Sequence, residues 1–340
     1  MKRLIQGVLL ATTAFAGAAT AATVNQGTGY ALGASGQAIF RVDDLTNPVP
    51  PSDGVLLREN GAIRAVDAIT YRPNTQEFFA YADQGNLVFN VDVTTGSLTR
   101  VQQGMGMNAG GQPIGTTVRT VGFDFNNAID AARIVSTNEE NLVFFPQGSS
   151  RMPGGMPVDS SVIRATDLFY VPGDANAGEN PSVFANAYTN AVAQADVNGD
   201  TQVQYVLDSR LDVLATLGNN TGELRTLGQL IVDGAALDFS NVGGFDILSP
   251  ASDDNLGLAL LNVQDGDGVF QSNLYSFEFT GMAGDIQATL VSNFGTGFSS
   301  FAVTFNGQPE IAPIPLPASA LLLLGGLGGL GALRRMRRRA

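Results

Sequence analysis

The sequence predicts an all-β protein. Short runs of alternating apolar and polar residues dominate the chain between its two ends, for example Glu77–Ala82, Asn86–Val93 and Asn273–Thr280. Turn-forming Gly, Asn and Asp residues separate these runs, as at Asp83–Gly85 and Asn219–Gly222. No long stretch between the two ends shows the apolar period of a helix. Alternation with frequent turns is typical of antiparallel strands joined as meanders.

These strands recur in a repeating unit. Similar short, apolar strands are centred on Ile69, Phe123, Tyr188, Phe245 and Val303, which lie 54, 65, 57 and 58 residues apart. The clearest unit continues from Ile69 with three further strands, so we predict four strands in each unit. Four-stranded antiparallel units are typical of the blades of a β-propeller. A β-sandwich or an irregular β-solenoid is also consistent with the strand spacing.

The two ends of the body predict how the units close. The body opens with three strand-like runs, Tyr30–Gly33, Gln37–Val42 and Val55–Arg58, and it closes with a single run, Ser299–Phe305. Pairing of the N- and C-terminal strands would complete one blade from both ends. We therefore predict a propeller-like domain of about five four-stranded blades over residues 22–305.

Residues 1–21 have the pattern of a secretory signal peptide. A basic start, Met1–Arg3, precedes the apolar run Leu4–Ala18, and the small residues Ala19 and Ala21 mark a cleavage site. The run is too short, and too rich in Ala, Thr and Gly, to favour a membrane anchor. We predict cleavage between Ala21 and Ala22 and export through the inner membrane.

The C-terminal end predicts a sorting tail. Residues 306–317 form a proline-rich linker, and residues 318–340 hold an uncharged run, Ala318–Leu333, before an arginine cluster. As a helix this run would be about 24 Å long, slightly short of a hydrocarbon core of about 30 Å. The arginines would stay on the cytoplasmic side. A permanent transmembrane anchor and a transient one both fit this pattern.

The start of the tail carries a short motif made of Pro315, Leu316, Pro317 and Ala318. Together with the apolar run and the terminal arginines, it resembles the VPLPA type of PEP-CTERM bacterial sorting signals. In that type Val usually stands where this chain has Ile314. The resemblance implies an exosortase-type membrane protease as partner, transient anchoring in the inner membrane, and passage to the cell surface or the extracellular space.

Composition limits the partners of the body. Seven of the 18 basic residues lie in the two ends, which leaves 11 basic residues against 31 acidic ones. Lys2 is the only lysine of the chain. So acidic a body repels nucleic acid and anionic lipid, and we exclude both as its partners. The sequence has no Cys, so the fold does not depend on disulfide bonds.

Segments spread along the body resemble a family of bacterial secreted proteins described as domain of unknown function 4394 (DUF4394). In order they are Tyr30–Gly33, Ile69–Gly96, Val121–Asn126, Ala132–Ser136, Glu140–Leu142, Gly173–Asn190, Asp212–Leu217 and Gly243–Ile247. The stretch Gly173–Asn190 is the most distinctive of these. The resemblance covers nearly the whole body, and it implies a propeller-like fold without a known activity.

Missing residue types remove most catalytic chemistry. Without His or Cys the chain has no Ser-His-Asp triad and no thiol nucleophile, and without a lysine in the body it has no Schiff base. Carboxylate chemistry remains, either as a glycosidase-like Asp/Glu pair or as an oxygen-ligand metal site. We therefore predict no catalytic residue.

Aspartates at repeated positions are the first candidate ligands. Asp124 and Asp246 occupy equivalent places in two of the repeated strands, and Asp67 lies near that place in a third. Inner strands line the central channel of a propeller, where carboxylates could bind a cation or a sugar. The alternative is structural, because short Asp side chains readily accept hydrogen bonds from backbone amides. Asp253–Asp254 is predicted to be a solvated loop. Asp265–Gly268 is predicted to be an exposed turn, with a loose Ca²⁺ site as the alternative.

Asp196, Asn198 and Asp200 begin like a calcium-binding loop. The residues that follow lack the turn glycine and the bidentate glutamate, which excludes a complete EF-hand. A looser Ca²⁺ site remains a candidate, and Ca²⁺ is the one cofactor that the sequence suggests.

A second candidate site lies in Gly173–Asn190, which is predicted to be a long loop. Its candidates are Asp174, Asn176, Asn186 and Tyr188, because amides beside an aromatic ring suit a carbohydrate or peptide. The alternative is a loop that satisfies its own backbone through Asx turns.

The leading functional hypothesis is an exported surface or extracellular-matrix protein with a non-enzymatic binding or scaffold domain. Its expected partner is an exopolysaccharide or another surface glycan. A carboxylate-dependent glycan hydrolase or lyase and a calcium-stabilised structural module are the alternatives.

Overall fold

In the computed structural model the described residues are 21–48, 54–102, 114–147, 161–192, 202–279, 283–295 and 297–307. The chain divides into two compact units, Met1–Gln308 and Pro309–Ala340, and every described residue belongs to the first. This part of the chain is all-β, with 24 strands and one short 3-10 helix, Val24–Gln26. Among these residues no helix is long and apolar enough to span a membrane. The sorting motif and the predicted C-terminal helix lie outside the described residues.

The first sheet joins the two ends of the body. Numbered along the chain, its strands are β1 (Gly27–Gly33), β2 (Ala38–Val42), β3 (Val55–Leu56) and β24 (Phe298–Phe305). Their order is β24-β1-β2-β3, and Gly29 of β1 lies opposite Val303 of β24 in an antiparallel pair. The predicted pairing of the N- and C-terminal strands is therefore confirmed.

Two further sheets are mainly antiparallel meanders. The second contains β4 (Arg58–Glu59), β5 (Ala62–Ile63), β6 (Ala68–Arg72), β7 (Glu77–Ala82), β8 (Leu87–Asp92) and β9 (Ser97–Gln102), in the order β5-β4-β9-β8-β7-β6. The third contains β10 (Val121–Asn126), β11 (Ala131–Ser136), β12 (Asn141–Phe145) and β13 (Ser161–Arg164) in chain order. Strands β6 to β9 are the four strands predicted for the unit that begins near Ile69.

The fourth sheet has ten strands. They are β14 (Phe169–Tyr170), β15 (Val183–Tyr188), β16 (Gln204–Asp208), β17 (Val213–Gly218), β18 (Glu223–Val232), β19 (Ala235–Ala236), β20 (Gly243–Ala251), β21 (Asp254–Gln264), β22 (Phe270–Glu278) and β23 (Ile286–Asn293). The long strand β18 pairs antiparallel with β17, and its end at Leu230 and Ile231 pairs parallel with β23. This contact joins two sets of four consecutive antiparallel strands, β15–β18 and β20–β23, into one sheet; we call such sets groups. The end strands β15 and β20 also contact each other, so the eight-strand path is nearly closed.

Five strands contact one another in a closed sequence, β24 to β6, β10, β15, β20 and back to β24. We call this set the ring strands. Apolar side chains fill the spaces between neighbouring groups. In one such space Phe79 and Tyr81 of β7 pack against Phe125 and Phe123 of β10. Burying aromatic side chains is strongly stabilising, and here it holds adjacent groups together.

One predicted loop is partly a strand. Residues 183–188 of the stretch Gly173–Asn190 form β15, which confirms the repeated strand predicted around Tyr188 and shows that the interpretation of the same residues as a loop was wrong. All six residues of β15 are buried, and the strand pairs antiparallel with β16. Cross-strand pairing and burial therefore make this segment a strand, although its Ala and Asn residues have modest strand propensity.

Candidate functional site

The two repeat-equivalent aspartates connect neighbouring ring strands. Asp124 in β10 accepts the backbone N–H of Tyr188 in β15 at 2.8 Å and the hydroxyl of Thr70 in β6 at 3.1 Å. Asp246 in β20 accepts the backbone N–H of Val303 in β24 at 2.7 Å. Each carboxyl group thus joins its own strand to at least one neighbour in the ring.

The backbone of the ring strands explains this arrangement. A strand at the edge of its group leaves N–H groups without a ladder partner, and a buried N–H needs an acceptor. Ser300 of β24 supplies a third example, because its Oγ accepts the N–H of Ile69 in β6 at 3.1 Å. The geometry favours the structural interpretation of Asp124 and Asp246.

Burial also changes the ionisation of these aspartates. It raises the pKa of Asp246 to about 7. Burial, and then the charge of Asp246, raise the pKa of Asp124 well above its usual range. The cavity beside both carboxyl groups has a volume of only about 10 Å³. That volume holds about one water molecule and leaves no room for a sugar.

Asp174 and Asn176, the first two loop candidates, form hydrogen bonds with each other and with Thr226. Asp174 accepts the backbone N–H of Asn176 at 2.9 Å, and it accepts the N–H and the hydroxyl of Thr226 at 2.7 Å each. The amide of Asn176 donates to the Thr226 hydroxyl at 2.9 Å. These bonds fasten the loop to β18, which fits the Asx-turn interpretation.

Tyr188 and Asn186 are both buried in β15. The Tyr188 hydroxyl contacts Oε1 of Gln204 at 2.9 Å and Oδ1 of Asn219 at 2.6 Å. Asn186 is only 1% exposed and lies close to Gly122 of β10, and neither its Oδ1 nor its Nδ2 has a hydrogen-bond partner among the described residues. The structure therefore does not bring the four loop candidates together into one site.

The calcium candidates Asp196, Asn198 and Asp200 lie outside the described residues. Within the described part of the chain, no group of three acidic side chains is placed to hold a metal ion. Asp265 accepts the N–H groups of Asp267 and Val269 within its own turn, as expected for a closed loop.

A larger cavity opens where the ring strands begin. Its volume is about 160 Å³. Each ring strand contributes a residue at or next to its start, namely Asp67, Thr120, Phe184, Gly243 and Ser299. We call it the entrance cavity, because it lies at the starting end of all five ring strands.

An ion pair stands in this cavity. Nε of Arg119 lies 2.8 Å from Oδ1 of the buried Asp67, and Asp83 approaches Arg119 at 3.9 Å. The N–H of Asp83 donates to Oδ2 of Asp67 at 2.8 Å. Burial, then the hydrogen bond and charge of Asp67, raise the pKa of Asp83 to about 6. The residues that line the cavity thus include Arg119 with its guanidinium donor, Asp67 with its carboxylate acceptor, and the hydroxyl-bearing Thr120 and Ser299.

Sequence reasoning named Asp67 but missed Asp83 and Arg119. These residues lie 16 and 52 positions from Asp67 and belong to no common motif. Only the close packing of β6, β7 and the start of β10 brings them together. In the sequence, the one feature that pointed to this site was the position of Asp67 directly before a repeated strand.

The described residues form an all-β protein of mainly antiparallel sheets, with a polar cavity at the start of its ring strands. The family model described as "Domain of unknown function (DUF4394)" matches residues 52–307, and the chain belongs to this family. A comparison with curated proteins found no match.

Several solved structures are similar to this chain at low sequence identity. A chain from the crystal structure of a nidogen/laminin complex is 12% identical, with 83% of this chain and 100% of that chain covered and a TM-score of 0.43. A protein of unknown function from Bacteroides caccae is 10% identical, with 82% and 98% covered and a TM-score of 0.40. An auxiliary nutrient binding protein from Bacteroides thetaiotaomicron is 13% identical, with 73% and 55% covered and a TM-score of 0.35. With TM-scores below 0.5, these similarities carry no argument about function.

Proposed function

We propose that this chain is an exported surface or matrix protein whose body is a non-enzymatic, five-bladed propeller that binds a surface glycan. Three features support the five blades. Twenty of the 24 described strands can be grouped in fours as β24 with β1–β3, β6–β9, β10–β13, β15–β18 and β20–β23, five ring strands contact in a closed sequence, and β24 pairs with β1. The predicted leader and sorting tail support export, transient anchoring and processing by an exosortase-type protease.

The entrance cavity is the observation that carries the binding role. It combines the Arg119 guanidinium, the Asp67 carboxylate and the Ser299 hydroxyl on a rigid set of strand starts. Sugars present closely spaced hydroxyl groups that both donate and accept hydrogen bonds. A cavity with both kinds of partner in fixed positions suits such a ligand. The small volume favours recognition of a single sugar unit or a chain end.

A glycan hydrolase is the second candidate, and one observation favours it. Burial, then the hydrogen bond and charge of Asp67, raise the pKa of Asp83 to about 6, and a carboxyl group with a raised pKa can act as a general acid. The spacing opposes it. The backbone N–H of Asp83 donates to Asp67 at 2.8 Å, and the Asp67 carboxyl group acts directly on the pKa of Asp83, so the two residues are in close contact, whereas glycosidases hold their carboxyl groups about 5 Å or more apart. Binding without turnover is therefore the better interpretation.

Replacing Arg119 with glutamine should weaken glycan binding by about 10- to 100-fold, because the variant loses charge-assisted hydrogen bonds. The measurement is a glycan array followed by titration of the best ligand with the purified exported protein. Arg225→Gln is the matched control, because Arg225 is 63% exposed beside Glu223, much as Arg119 is 64% exposed beside Asp67.

Two outcomes would contradict the binding role. Equal affinity of the Arg119→Gln and Arg225→Gln variants would remove the entrance cavity as the binding site. Release of sugar that Asp83→Asn abolishes would establish the hydrolase instead.

A further inference from the structure

The backbone nitrogen of Ala22 lies 2.6 Å from Oδ1 of Asp254. Ala22 is the first residue after the predicted leader cleavage site, so this nitrogen would be the α-amino group of the processed chain. The prediction of a solvated loop at Asp253–Asp254 was wrong for Asp254, which is half-buried and begins β21.

The position of this nitrogen is fixed by its surroundings. Ala22 and Val24 pack against an apolar cluster that includes Leu248. The N–H of Thr23 donates to Oε1 of Gln26 at 2.7 Å, which closes the turn directly after Ala22. The segment is therefore held in place from Ala22 onward, while Ala21 is exposed.

The position of Asp254 is also fixed, by the β20–β21 hairpin to which it belongs. It pairs with Ala251 at the tip of the β20–β21 hairpin. On the same hairpin the N–H of Asp253 donates to Oδ1 of Asn190 at 2.7 Å, and Oδ1 of Asn255 accepts the N–H of Asn190 at 2.7 Å. Among the described residues no arginine forms an ion pair with Asp254.

We infer that cleavage between Ala21 and Ala22 creates an ion pair between the new α-ammonium group of Ala22 and the Asp254 carboxylate. The inference rests on the proposed export. Hydrolysis of the peptide bond takes up one water, leaves a carboxylate on Ala21 and leaves a protonated amine on Ala22. The single N–H donor of an amide becomes a charged group with three donors, and charge-assisted hydrogen bonds are the stronger ones. Removal of the leader thereby fastens the N-terminus to the β20–β21 hairpin.

The composition of the chain makes this pair directly measurable. Lys2 is the only lysine and lies in the leader, so the processed chain has one amine, the α-amino group of Ala22. An acetylating N-hydroxysuccinimide ester would therefore modify Ala22 alone among amines. Pairing with Asp254 keeps the amine protonated and shields it, which slows acetylation.

The experiment uses the full chain exported by a host and purified after processing. Mass spectrometry should place its N-terminus at Ala22. Acetylation at pH 7 should be about threefold faster in Asp254→Asn than in the wild type, which corresponds to an ion pair of exposed or half-buried strength. Asp253→Asn is the matched control with the same change of charge, and it should react at the wild-type rate. A chain with one alanine inserted before Ala22 keeps Asp254 but displaces the amine, and it should also react faster.

The outcomes separate this inference from the proposed function. A purified chain that retains residues 1–21 would refute both export and the ion pair. A chain that begins at Ala22, but whose Asp254→Asn and Asp253→Asn variants are acetylated at equal rates, would refute the ion pair alone.

Discussion

Asp246→Asn should reduce by about 3 kcal/mol the fall in the free energy of unfolding between pH 5 and pH 8. Asp246 is buried, and burial raises its pKa to about 7 in the folded chain, against about 3.9 in the unfolded chain. The folded chain therefore keeps a proton that the unfolded chain has released. Stability that is fully present below about pH 4 is lost as the pH rises through 7.

The quantity to measure is the slope of the free energy of unfolding against pH, rather than the free energy of unfolding at a single pH. Asp246 accepts the N–H groups of both Val303 and Ile247 at 2.7 Å, and an asparagine amide nitrogen cannot accept the second. The variant should thus be less stable at pH 5, and between pH 5 and pH 8 it should lose about 3 kcal/mol less than the wild type. Urea unfolding of the exported protein at four pH values gives both quantities.

Asp174→Asn is the control for this prediction. Although Asp174 is partly buried, hydrogen bonds from Asn176 and Thr226 hold its pKa below the usual value, so it is ionised in the folded and the unfolded chain throughout pH 5 to 8. Its variant should keep the wild-type slope. Asp124, whose pKa is raised by burial and by the charge of Asp246, adds to the slope of all three proteins. Asp83, with a pKa of about 6, contributes a part of the slope that all three proteins share. Equal slopes in the wild type and Asp246→Asn would show that the buried aspartate is already ionised at pH 5.

Local pattern was sufficient to predict the repeated strands. The four strands predicted after Ile69 correspond to β6–β9, and the predicted closing run Ser299–Phe305 differs from β24 by one residue. Strands β6–β9 pair with their neighbours in the chain, so alternation and turn residues carry the needed information there. The equivalence of Asp124 and Asp246 was visible for the same reason, because both stand at the same place in a repeat.

Long-range contacts were not predictable in this way. The parallel contact between β18 and β23 joins Leu230 to Ile286, and no local pattern marks either residue. The same holds for the cluster of Asp67, Asp83 and Arg119, whose members come from different strands and loops. Whether an aspartate binds a ligand or a neighbouring backbone amide depends on three-dimensional packing, and the sequence left both interpretations open.

Replacing Gly244 with alanine should destabilise the protein by about 3 kcal/mol or more, because β20 and β24 approach too closely for a methyl group. A Cβ atom at this position would lie 2.1 Å from the backbone nitrogen of Phe301 and 2.8 Å from the carbonyl carbon of Ser300. Backbone atoms cannot swing aside as a flexible side chain can, so relief requires the two ring strands to separate. Thermal or urea unfolding of the exported protein measures the loss.

Gly266→Ala is the matched control, since a Cβ there meets nothing within 4 Å. Its effect should stay within about 0.5 kcal/mol. In an unobstructed site, alanine in place of glycine stabilises by about 0.4–1 kcal/mol, because it restricts the unfolded chain. The sign of the Gly244→Ala effect is therefore decisive. A neutral or stabilising result would mean that β20 and β24 are farther apart than the contact between Gly244 and Phe301 indicates. The proposed five-bladed closure would then lose this contact as support.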